Sequence, residues 1–406
     1  MSLYRWELKK IWKRRSARVA LALMLVWTMA AILVNAFYNN SYKVDGVTPC
    51  VPGPAEIANQ LAWAEPWRGE LTGEQLAAAQ ATVYDLYHDP ANRTPDGNLT
   101  SDSYNAVIRP LGGMTNTLMN IAAGVYSLPY AAWGELEPDR LLTYYDDRTG
   151  AVDRWLQSQC KDPADRAVFE AQEARVQTPF VYDWYSGQVS VLQTIQDTML
   201  GVCLLLGVAL APLFCGEVQS GVLAVSHCTR QGRGRLAAAK VGAALTVAVG
   251  TWAVSSALLV ASQLYFFGTR GLDCPIQLLK PLATAPLTFG DCEVYALVFG
   301  LACCLGTVGI TAGLSGVASA SFPVMAGVFG LLVLLPMFGG MLPWAVQQAV
   351  ALLPSAGDYY DLFRQNLYHI GPLRIWSPVM QLAVQPLYLA VLAPLAWRVY
   401  TRRQVK

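Results

Sequence analysis

Charged residues are scarce in this sequence of 406 residues: Asp, Glu, Lys and Arg make up 14% of it, whereas an ordinary soluble chain carries about 25%. Hydrophobic residues make up 54% of the chain, and the mean hydropathy is +0.33. This composition excludes disordered, fibrous and nucleic-acid-binding classes, and no nucleic-acid partner is expected. We therefore expect a membrane protein.

The sequence also lacks the motifs of common catalytic and nucleotide-binding sites. It has no G-x-x-x-x-G-K-[ST], no G-x-S-x-G and no H-E-x-x-H, and its three histidines are scattered. No spacing of cysteine and histidine fits a zinc site. We expect no catalytic residue, no metal site and no cofactor in this chain.

Charge-free runs divide the sequence into six predicted transmembrane helices, because a span needs about 20 mainly apolar residues. The run 294–357 has no charged residue in 64 positions, which is too long for one span, so it must contain two. The fold class is an all-α polytopic membrane protein with a mainly helical extracellular domain at 39–190. An interfacial helix is predicted at 1–18, spans at 19–38, 191–216, 237–267, 293–319, 322–343 and 377–398, external segments at 268–292 and 344–376, and a tail at 399–406.

Basic residues orient these spans, since Lys and Arg near span ends stay on the cytoplasmic side. Residues 1–18, the loop after the second span and the C-terminal tail together carry a net charge of +13, with Glu7 and Glu217 as their only acids. The rest of the chain sums to −12. Both termini are therefore predicted to be cytoplasmic, and the first span, longer than a signal-peptide core, is predicted to be a retained anchor.

The N-terminal segment has the pattern of an amphipathic helix. Apolar side chains share one helical face and basic side chains occupy others, as in a helix on the anionic inner leaflet. A plain positive-inside signal explains the same basic residues, and both interpretations stay open. The predicted interfacial residues are Tyr4, Leu8, Lys9, Lys10, Ile11, Trp12, Lys13 and Arg14.

The predicted cytoplasmic loop at 217–236 links the second and third spans. It is too short for a domain and too long for a tight turn, and it has a short apolar stretch between glycines. A short helix held between two spans could transmit force from a cytoplasmic partner, whereas a basic loop that only fixes topology is the alternative. The candidate coupling residues are Glu217, Ser220, Gly221, Arg230, Gly232, Arg233, Arg235 and Lys240.

Three segments resemble ABC-2 type permeases, the membrane subunits of bacterial ABC exporters. They are RWELKKIWKRR at 5–15, E-x-x-x-G at Glu217 and Gly221, and GRGRLAAAK at 232–240. The resemblance implies a coupling helix docked on a separate ABC ATPase that binds ATP and Mg, and a second permease copy in a homodimer or heterodimer. It also implies a re-entrant helical pair within 344–376. The large external domain departs from compact family members, so no substrate is carried over.

The predicted external domain has two clear helix starts. Thr72 and Gln75 fit a capping box that opens a helix to about His88, and Asp162-Pro163 opens another to about Arg175. A small helical core with buried aromatic residues is the simpler interpretation, and a binding surface is the alternative. The tryptophans concerned are Trp63, Trp67, Trp133, Trp155 and Trp184.

Four of the nine cysteines fall in predicted external segments, where disulfides persist. Cys50 and Cys160 lie in the large domain, and Cys274 and Cys292 lie in the loop at 268–292. Each segment could therefore form one bridge, and whether either pair is bonded stays open.

The fourth predicted span carries a stripe of small residues that includes Gly306, Gly309 and Gly313. Small residues let helices approach closely in a membrane. Packing within one subunit and a seam between two copies are the two interpretations.

The expected function is that of a permease subunit in the bacterial plasma membrane, exporting an amphipathic peptide, lipid-like molecule or drug. An ion-coupled secondary transporter is an alternative, but such carriers need ionisable residues near the membrane midplane. Asp197, Asp291 and Glu293 lie only at predicted outer span ends. A membrane-anchored sensor or scaffold that displays residues 39–190 is a further alternative.

Overall fold

Helices make up most of the chain in the computed structural model, which describes residues 2–44, 48–94, 99–229, 232–354 and 356–403, with the backbone alone for 43, 44 and 48–50. The first eight helices are α1 (Leu3–Lys13), α2 (Arg15–Leu33), α3 (Gly53–Ala64), α4 (Gly73–His88), α5 (Ser101–Ser103), α6 (Gly113–Gly124), α7 (Tyr144–Gln159) and α8 (Pro163–Glu173). The others are α9 (Ser186–Leu210), α10 (Cys215–Gln219), α11 (Leu223–Cys228), α12 (Gly234–Phe266), α13 (Phe289–Val317), α14 (Ser321–Phe329), α15 (Leu335–Met337), α16 (Trp344–Val350) and α17 (Ser377–Arg402).

Shorter turns extend or connect these helices. The π-helical turns are Val34–Asn39, Tyr104–Ile108 and Gly330–Leu334. The 3₁₀ turns are Glu65–Trp67, Pro90–Asn92, Arg109–Leu111, Tyr130–Glu135, Pro138–Thr143, Ile276–Leu278, Gly339–Met341 and Tyr359–Phe363.

Among the described residues, three small antiparallel sheets accompany the helices, so the all-α prediction is correct only for the dominant class. Each has two strands: β1 (Tyr42–Val44) with β2 (Thr48–Val51), β3 (Gly69–Leu71) with β4 (Phe180–Tyr182), and β5 (Leu367–Ile370) with β6 (Leu373–Trp376). In the second sheet Gly69 pairs with Tyr182 and Leu71 with Phe180, which joins the segment between α3 and α4 to the end of the polar domain.

Five helical segments within the described residues are long and apolar enough to cross a membrane. They are Arg15–Asn39, Ser186–Gln219, Gly234–Phe266, Phe289–Val317 and Ser377–Arg402. Large apolar side chains face outwards along them, among them Val26, Leu264, Val294 and Leu387. A belt of this kind is unfavourable in water and suits a bilayer, so the chain is a multi-pass helical membrane protein.

The segment predicted as a fifth span at 322–343 forms a shorter apolar helix, Ser321–Met337. At 1.5 Å per residue it is about 25 Å long, less than the hydrocarbon thickness of about 30 Å. Pro343 follows the 3₁₀ turn and precedes α16, so the helix cannot continue to the predicted boundary.

Local sequence explains where several helices begin. The capping box predicted at Thr72 and Gln75 is confirmed, since each side chain bonds the backbone N–H of the other. The helix opened by Asp162-Pro163 is also confirmed and ends at Glu173. Thr288 and Asp291 form another capping box at the start of α13, which satisfies backbone donors that would otherwise lack partners.

The span helices have two distinct ends. We call the basic end the one where α1, α10, α11, the start of α12 and the end of α17 meet, through contacts such as Lys240 to Glu7 and Tyr400 to Glu217. The opposite end carries the polar domain, residues 40–185, and is called the domain end.

The polar domain packs directly on the connection between α12 and α13. Arg148 is buried, forms an ion pair with Glu173 at 2.5 Å, and donates to the carbonyl oxygen of Pro281 at 2.8 Å. Arg270 pairs with Asp183 at 2.6 Å on another side of the same junction. One continuous hydrophobic core runs from the span helices into this domain, so the two are a single packed unit.

The described residues within 344–376 form no re-entrant helical pair, in contrast to the expectation from the resemblance. The segment contains α16, the 3₁₀ turn Tyr359–Phe363 and the β5–β6 hairpin. Gly371, with a φ of 58°, and Pro372 form the hairpin turn between strands rich in aromatic and β-branched residues. This turn chemistry and composition favour a hairpin over a helix.

Candidate functional site

Four charged side chains meet at the basic end in a buried ion cluster, defined as Glu7, Lys10, Glu217 and Lys240. The Lys240 ammonium lies 2.9 Å from Glu217 Oε1 and 3.3 Å from Glu7 Oε2. Lys10 lies 2.8 Å from Glu7 Oε1 and 3.4 Å from Glu217 Oε1. Both carboxylates are therefore shared between the same two ammonium groups.

Three different elements supply this cluster. Glu7 and Lys10 lie one turn apart on α1, Glu217 lies on α10 directly after the second span helix, and Lys240 lies near the start of α12. Lys240 is 1% exposed and Glu217 is 4% exposed. Buried charges persist only when they are paired, because desolvation opposes ionisation. The cluster therefore fixes α1 against the loop between two spans.

A fourth element closes the cluster. Tyr400, near the end of α17, donates its hydroxyl to Glu217 Oε2 at 2.5 Å. Its ring packs against Phe214 and His227, at centroid distances of 5.2 Å and 5.0 Å. Movement of α11 must therefore disturb the end of the last span helix as well as α1.

His227 and Arg14 flank the cluster in environments that disfavour their charged forms. Burial lowers the pKa of His227, and the nearby Arg233 cation lowers it further, although Glu217 opposes the change. Burial also lowers the pKa of the Arg14 guanidinium, and Glu7, Cys215 and Glu217 oppose that shift. Arg14 donates to the carbonyl oxygen of Pro212 at 3.4 Å, where the chain leaves α9.

Ser315 of α13 supports the break between α9 and α10. Its hydroxyl accepts hydrogen bonds from the backbone N–H groups of Phe214 at 2.9 Å and Cys215 at 3.1 Å, and donates to the carbonyl oxygen of Ala211 at 2.8 Å. These bonds satisfy backbone groups that the interrupted helix leaves free. The turn that positions Glu217 is thereby held by the fourth long helix.

Helix α11 presents an apolar outer face at this end. Leu223 and His227 point inwards, while Val222 is 47% exposed and Val225 is 70% exposed. A Cβ on Gly232 would overlap the carbonyl oxygen of Ser226, so the glycine allows the chain to pass close beneath α11. Arg233 and Arg235 are exposed next to it. We call Val222, Val225, Arg233 and Arg235 the α11 surface.

No protein-family model, curated protein or solved structure matches this chain.

The predicted coupling residues divide into two groups in the structure. Glu217 and Lys240 are buried in the ion cluster, and Gly232 is buried under α11. Ser220, Gly221, Arg233 and Arg235 are exposed. Arg230 lies outside the described residues. Glu217 and Lys240 therefore hold the loop in place, and only the exposed group could touch a partner directly.

The N-terminal segment predicted as an interfacial helix forms α1, but its buried face differs from the predicted apolar face. Glu7 and Ile11 are the buried residues, and Lys10 turns inwards to the cluster while its ammonium also lies 3.8 Å from the Trp6 ring centroid. Tyr4, Trp12, Lys9 and Lys13 are exposed, and Leu8 is half-buried. The helix ends at Lys13 because Arg14 adopts an extended conformation, and α2 begins at Arg15.

The predicted external cysteines are not bridged where they are described. Cys160, Cys274 and Cys292 are free thiols, and the side chain of Cys50 lies outside the described residues. Cys274 accepts a hydrogen bond from the backbone N–H of Asp183 at 3.1 Å, and burial raises its pKa to about 12. The pairing of Cys274 with Cys292, which the sequence left open, is therefore not formed, and both thiols are buried.

The glycine stripe of α13 faces α17 of the same chain. A Cβ on Gly309 would lie 2.6 Å from the Cα of Leu389, and one on Gly306 would lie 2.7 Å from Gln385 Oε1. One on Gly313 would lie 3.4 Å from Leu392 Cβ, which is ordinary contact. Among these three glycines, Gly309 therefore lies closest to the backbone of α17.

Sequence reasoning did not identify Glu7, Tyr400, His227 or Ser315 as members of this site. A signal for Glu7 was nevertheless present, because Glu7 and Glu217 are the only acids among the basic segments. Two isolated acids in a strongly basic region are natural partners for buried lysines. Tyr400 and Ser315 carry no comparable signal, since their roles depend on helices about 90 residues or more apart in the chain.

Proposed function

We propose that this chain is the membrane subunit of an ATP-driven transporter, and that the α11 surface docks on a separate cytoplasmic ATPase. The observation that carries the proposal is the contact of His227 on α11 with Tyr400, because Tyr400 bonds Glu217 in the buried ion cluster and the cluster in turn joins α1 and α12. Displacement of α11 would change contacts with three helices at once. A buried ionic joint resists small deformations, so it transmits such a displacement.

The α11 surface has the composition of a small docking site. It has two exposed valines and two exposed arginines, which combines an apolar anchor with cations that suit a polar rim. A loop that only fixed topology would not need buried Glu217 or a closely packed Gly232. This is why we favour coupling over a simple basic loop.

The proposal includes a membrane orientation. The concentration of Lys and Arg at the basic end favours the cytoplasmic side for both termini. The helix Ser321–Met337, between the end of α13 and the segment before α17, would make a sixth crossing. Because it is about 25 Å long, the bilayer would have to be locally thinner around it. The polar domain would then lie outside the cell, and two copies would form the transporter.

Co-purification tests the docking step. The full chain is expressed with its genomic neighbours and isolated through an affinity tag, and associated ATPase activity is measured. We expect Val225→Asp to abolish ATPase recovery, because it places a charge on the apolar anchor. Val181→Asp is the control, since Val181 is an exposed valine at the domain end. Absence of an ATPase with the unchanged chain, or equal recovery with Val225→Asp, would overturn the proposal.

A second candidate, an ion-coupled carrier, is favoured by one observation. Glu293 on α13 is 6% exposed, and Gln263 of α12 donates to its Oε2 at 2.6 Å while Oε1 has no partner within the described residues. A buried carboxylate of this kind is typical of proton-carrying sites in membranes. Transport that continued without ATP and stopped in Glu293→Gln would support this candidate over the first.

A further inference from the structure

A large cavity opens at the domain end, away from the ion cluster. Its volume is about 1340 Å³, above the 300–1,000 Å³ typical of small-molecule pockets. The polar domain contributes Asn120, Tyr130 and Trp155, the connection between α12 and α13 contributes Lys280, and the segment before α17 contributes Trp344 and Asp358. The cavity therefore lies where the polar domain meets the membrane helices.

Primary amides and aromatic rings dominate the polar and apolar parts of the lining. Seven Asn or Gln residues and five aromatic residues line the cavity, including Gln159 and Gln348 among the amides. A primary amide both donates and accepts hydrogen bonds. A peptide main chain offers donors and acceptors in alternation, and aromatic rings provide contact area for its side chains.

The charged residues narrow the choice of ligand. Lys280 and Arg364 balance Asp358 and Asp361, so the lining has no net charge. Arg364 pairs with Asp361 at 3.4 Å, whereas no described ion pair includes Lys280 or Asp358. Burial raises the pKa of Asp358 and the Asp361 carboxylate raises it further, although the backbone N–H of Tyr360, the Arg364 guanidinium and Gln196 oppose the shift. A cationic ligand group would further stabilise this buried carboxylate.

Other ligand classes fit this lining less well. A phosphate-bearing ligand would favour a net positive site. A lipid tail would desolvate the lining amides, of which Gln347, Gln365 and Gln381 donate hydrogen bonds within the protein, and would offer the others no partner. An oligosaccharide would use the amides and rings but would leave Lys280 and Asp358 without ionic partners. A short peptide with free termini supplies both an ammonium and a carboxylate.

We propose that this cavity binds a short peptide, with the peptide ammonium at Asp358 and the peptide carboxylate at Lys280. The peptide would be the cargo of the proposed transporter, and this assignment as cargo rests on the proposed function. Binding itself needs no ATPase. A failure of peptide binding is therefore distinguishable from a failure of ATPase docking, which is measured by co-purification.

Equilibrium dialysis of the purified full-length chain, without any ATPase, tests the proposal. The probe is a mixture of random hexapeptides with free termini, compared with the same mixture acetylated at the N-terminus or amidated at the C-terminus. We expect either modification to weaken binding about tenfold, the usual effect of losing one charged hydrogen bond. Acetylation should have no further effect in Asp358→Asn, and amidation none in Lys280→Gln.

Matched controls and competing outcomes complete the design. Asp153→Asn and Lys161→Gln alter exposed residues that do not line the cavity, and they should leave binding unchanged. Lys280 is itself exposed, so Lys280→Gln tests the site even if Asp358→Asn fails to fold. Equal binding of free and blocked peptides, or binding of maltohexaose in place of peptides, would overturn the proposal.

Discussion

Glu217 accepts hydrogen bonds from side chains on three helices, Lys10, Lys240 and Tyr400. Its position makes it more sensitive to substitution than any exposed residue of the same loop. Removal of the carboxylate leaves the Lys240 ammonium buried with less negative charge nearby to offset its desolvation.

We expect Glu217→Ala to lower the free energy of unfolding by about 3–5 kcal/mol, the usual cost of breaking a buried ion pair. Thermal unfolding of the purified protein measures the change. Glu70→Ala, at an exposed glutamate of β3, is the control and should change stability little. The double variant Glu217→Gln with Lys240→Met should lose less free energy of unfolding than the sum of the losses in the two single variants. Additive losses would contradict the direct pairing.

The lowered pKa of His227 leads us to expect that the stability of the folded protein depends on pH. This pKa is lowered in the folded protein from the ordinary value of 6.5, so the unfolded chain binds the proton more readily. The stability contribution is therefore present above pH 6.5 and is lost as the pH falls towards the lower folded pKa. We expect the difference in melting temperature between pH 7.5 and about pH 5.5 to become smaller in His227→Gln. His88→Gln, at an exposed histidine of α4, should leave this difference as it is in the unchanged protein.

At the scale of the element, the α13–α17 interface depends on glycines placed on one helical face. Gly309 has no space for a Cβ next to the Leu389 backbone, whereas Gly313 has ordinary contact distance to Leu392. The two positions are one turn apart on the same helix and differ mainly in the approach of α17.

Because of this difference, we expect the substitution of alanine for glycine to affect stability differently at Gly309 and Gly313. Gly309→Ala should destabilise the protein by about 1–3 kcal/mol, because overpacking forces the helices apart. Gly313→Ala should be neutral or slightly stabilising, because alanine has the higher helix propensity. Thermal unfolding of the two variants, prepared in the same detergent, is the measurement. Equal losses in both would indicate that the glycines act through something other than this contact.

At the scale of the whole molecule, the charge asymmetry gives the two ends different environments. Cys228 is exposed at the basic end, and Cys160 is partly exposed at the domain end. Cys203, Cys215, Cys274, Cys292 and Cys304 are buried. The native thiols are therefore natural reporters of orientation.

We expect a membrane-impermeant maleimide to label Cys228 in inverted vesicles and not in intact cells, and Cys160 in intact cells. Labelling of Cys160 should be slow at neutral pH, since burial raises the pKa of this thiol. The experiment uses a Cys50→Ser background, with Cys228→Ser and Cys160→Ser to assign each signal by mass spectrometry. Labelling of Cys228 from outside would reverse the proposed orientation.

Much of the element pattern could be predicted from the sequence, and the failures have physical causes. Long charge-free runs identified the five long span helices, and cap residues such as Thr72 and Thr288 mark helix starts through local hydrogen bonds. The re-entrant pair rested on a resemblance and not on local residues, and the Gly371-Pro372 turn produced a hairpin instead. The predicted fifth span was too long because its apolar composition continues past the end of its helix.

The sequence by itself determined the membrane class, the positions of the long apolar helices and the separation of charge between the two ends, because these follow from sums over neighbouring residues. Only the tertiary structure decided that Glu7 meets Lys240 across 233 positions of sequence, that Tyr400 closes the same cluster, and that Lys280 and Asp358 line one cavity. Such pairings depend on which helix faces are buried against each other. Composition and periodicity specify that a face is buried, but not which distant residue it meets.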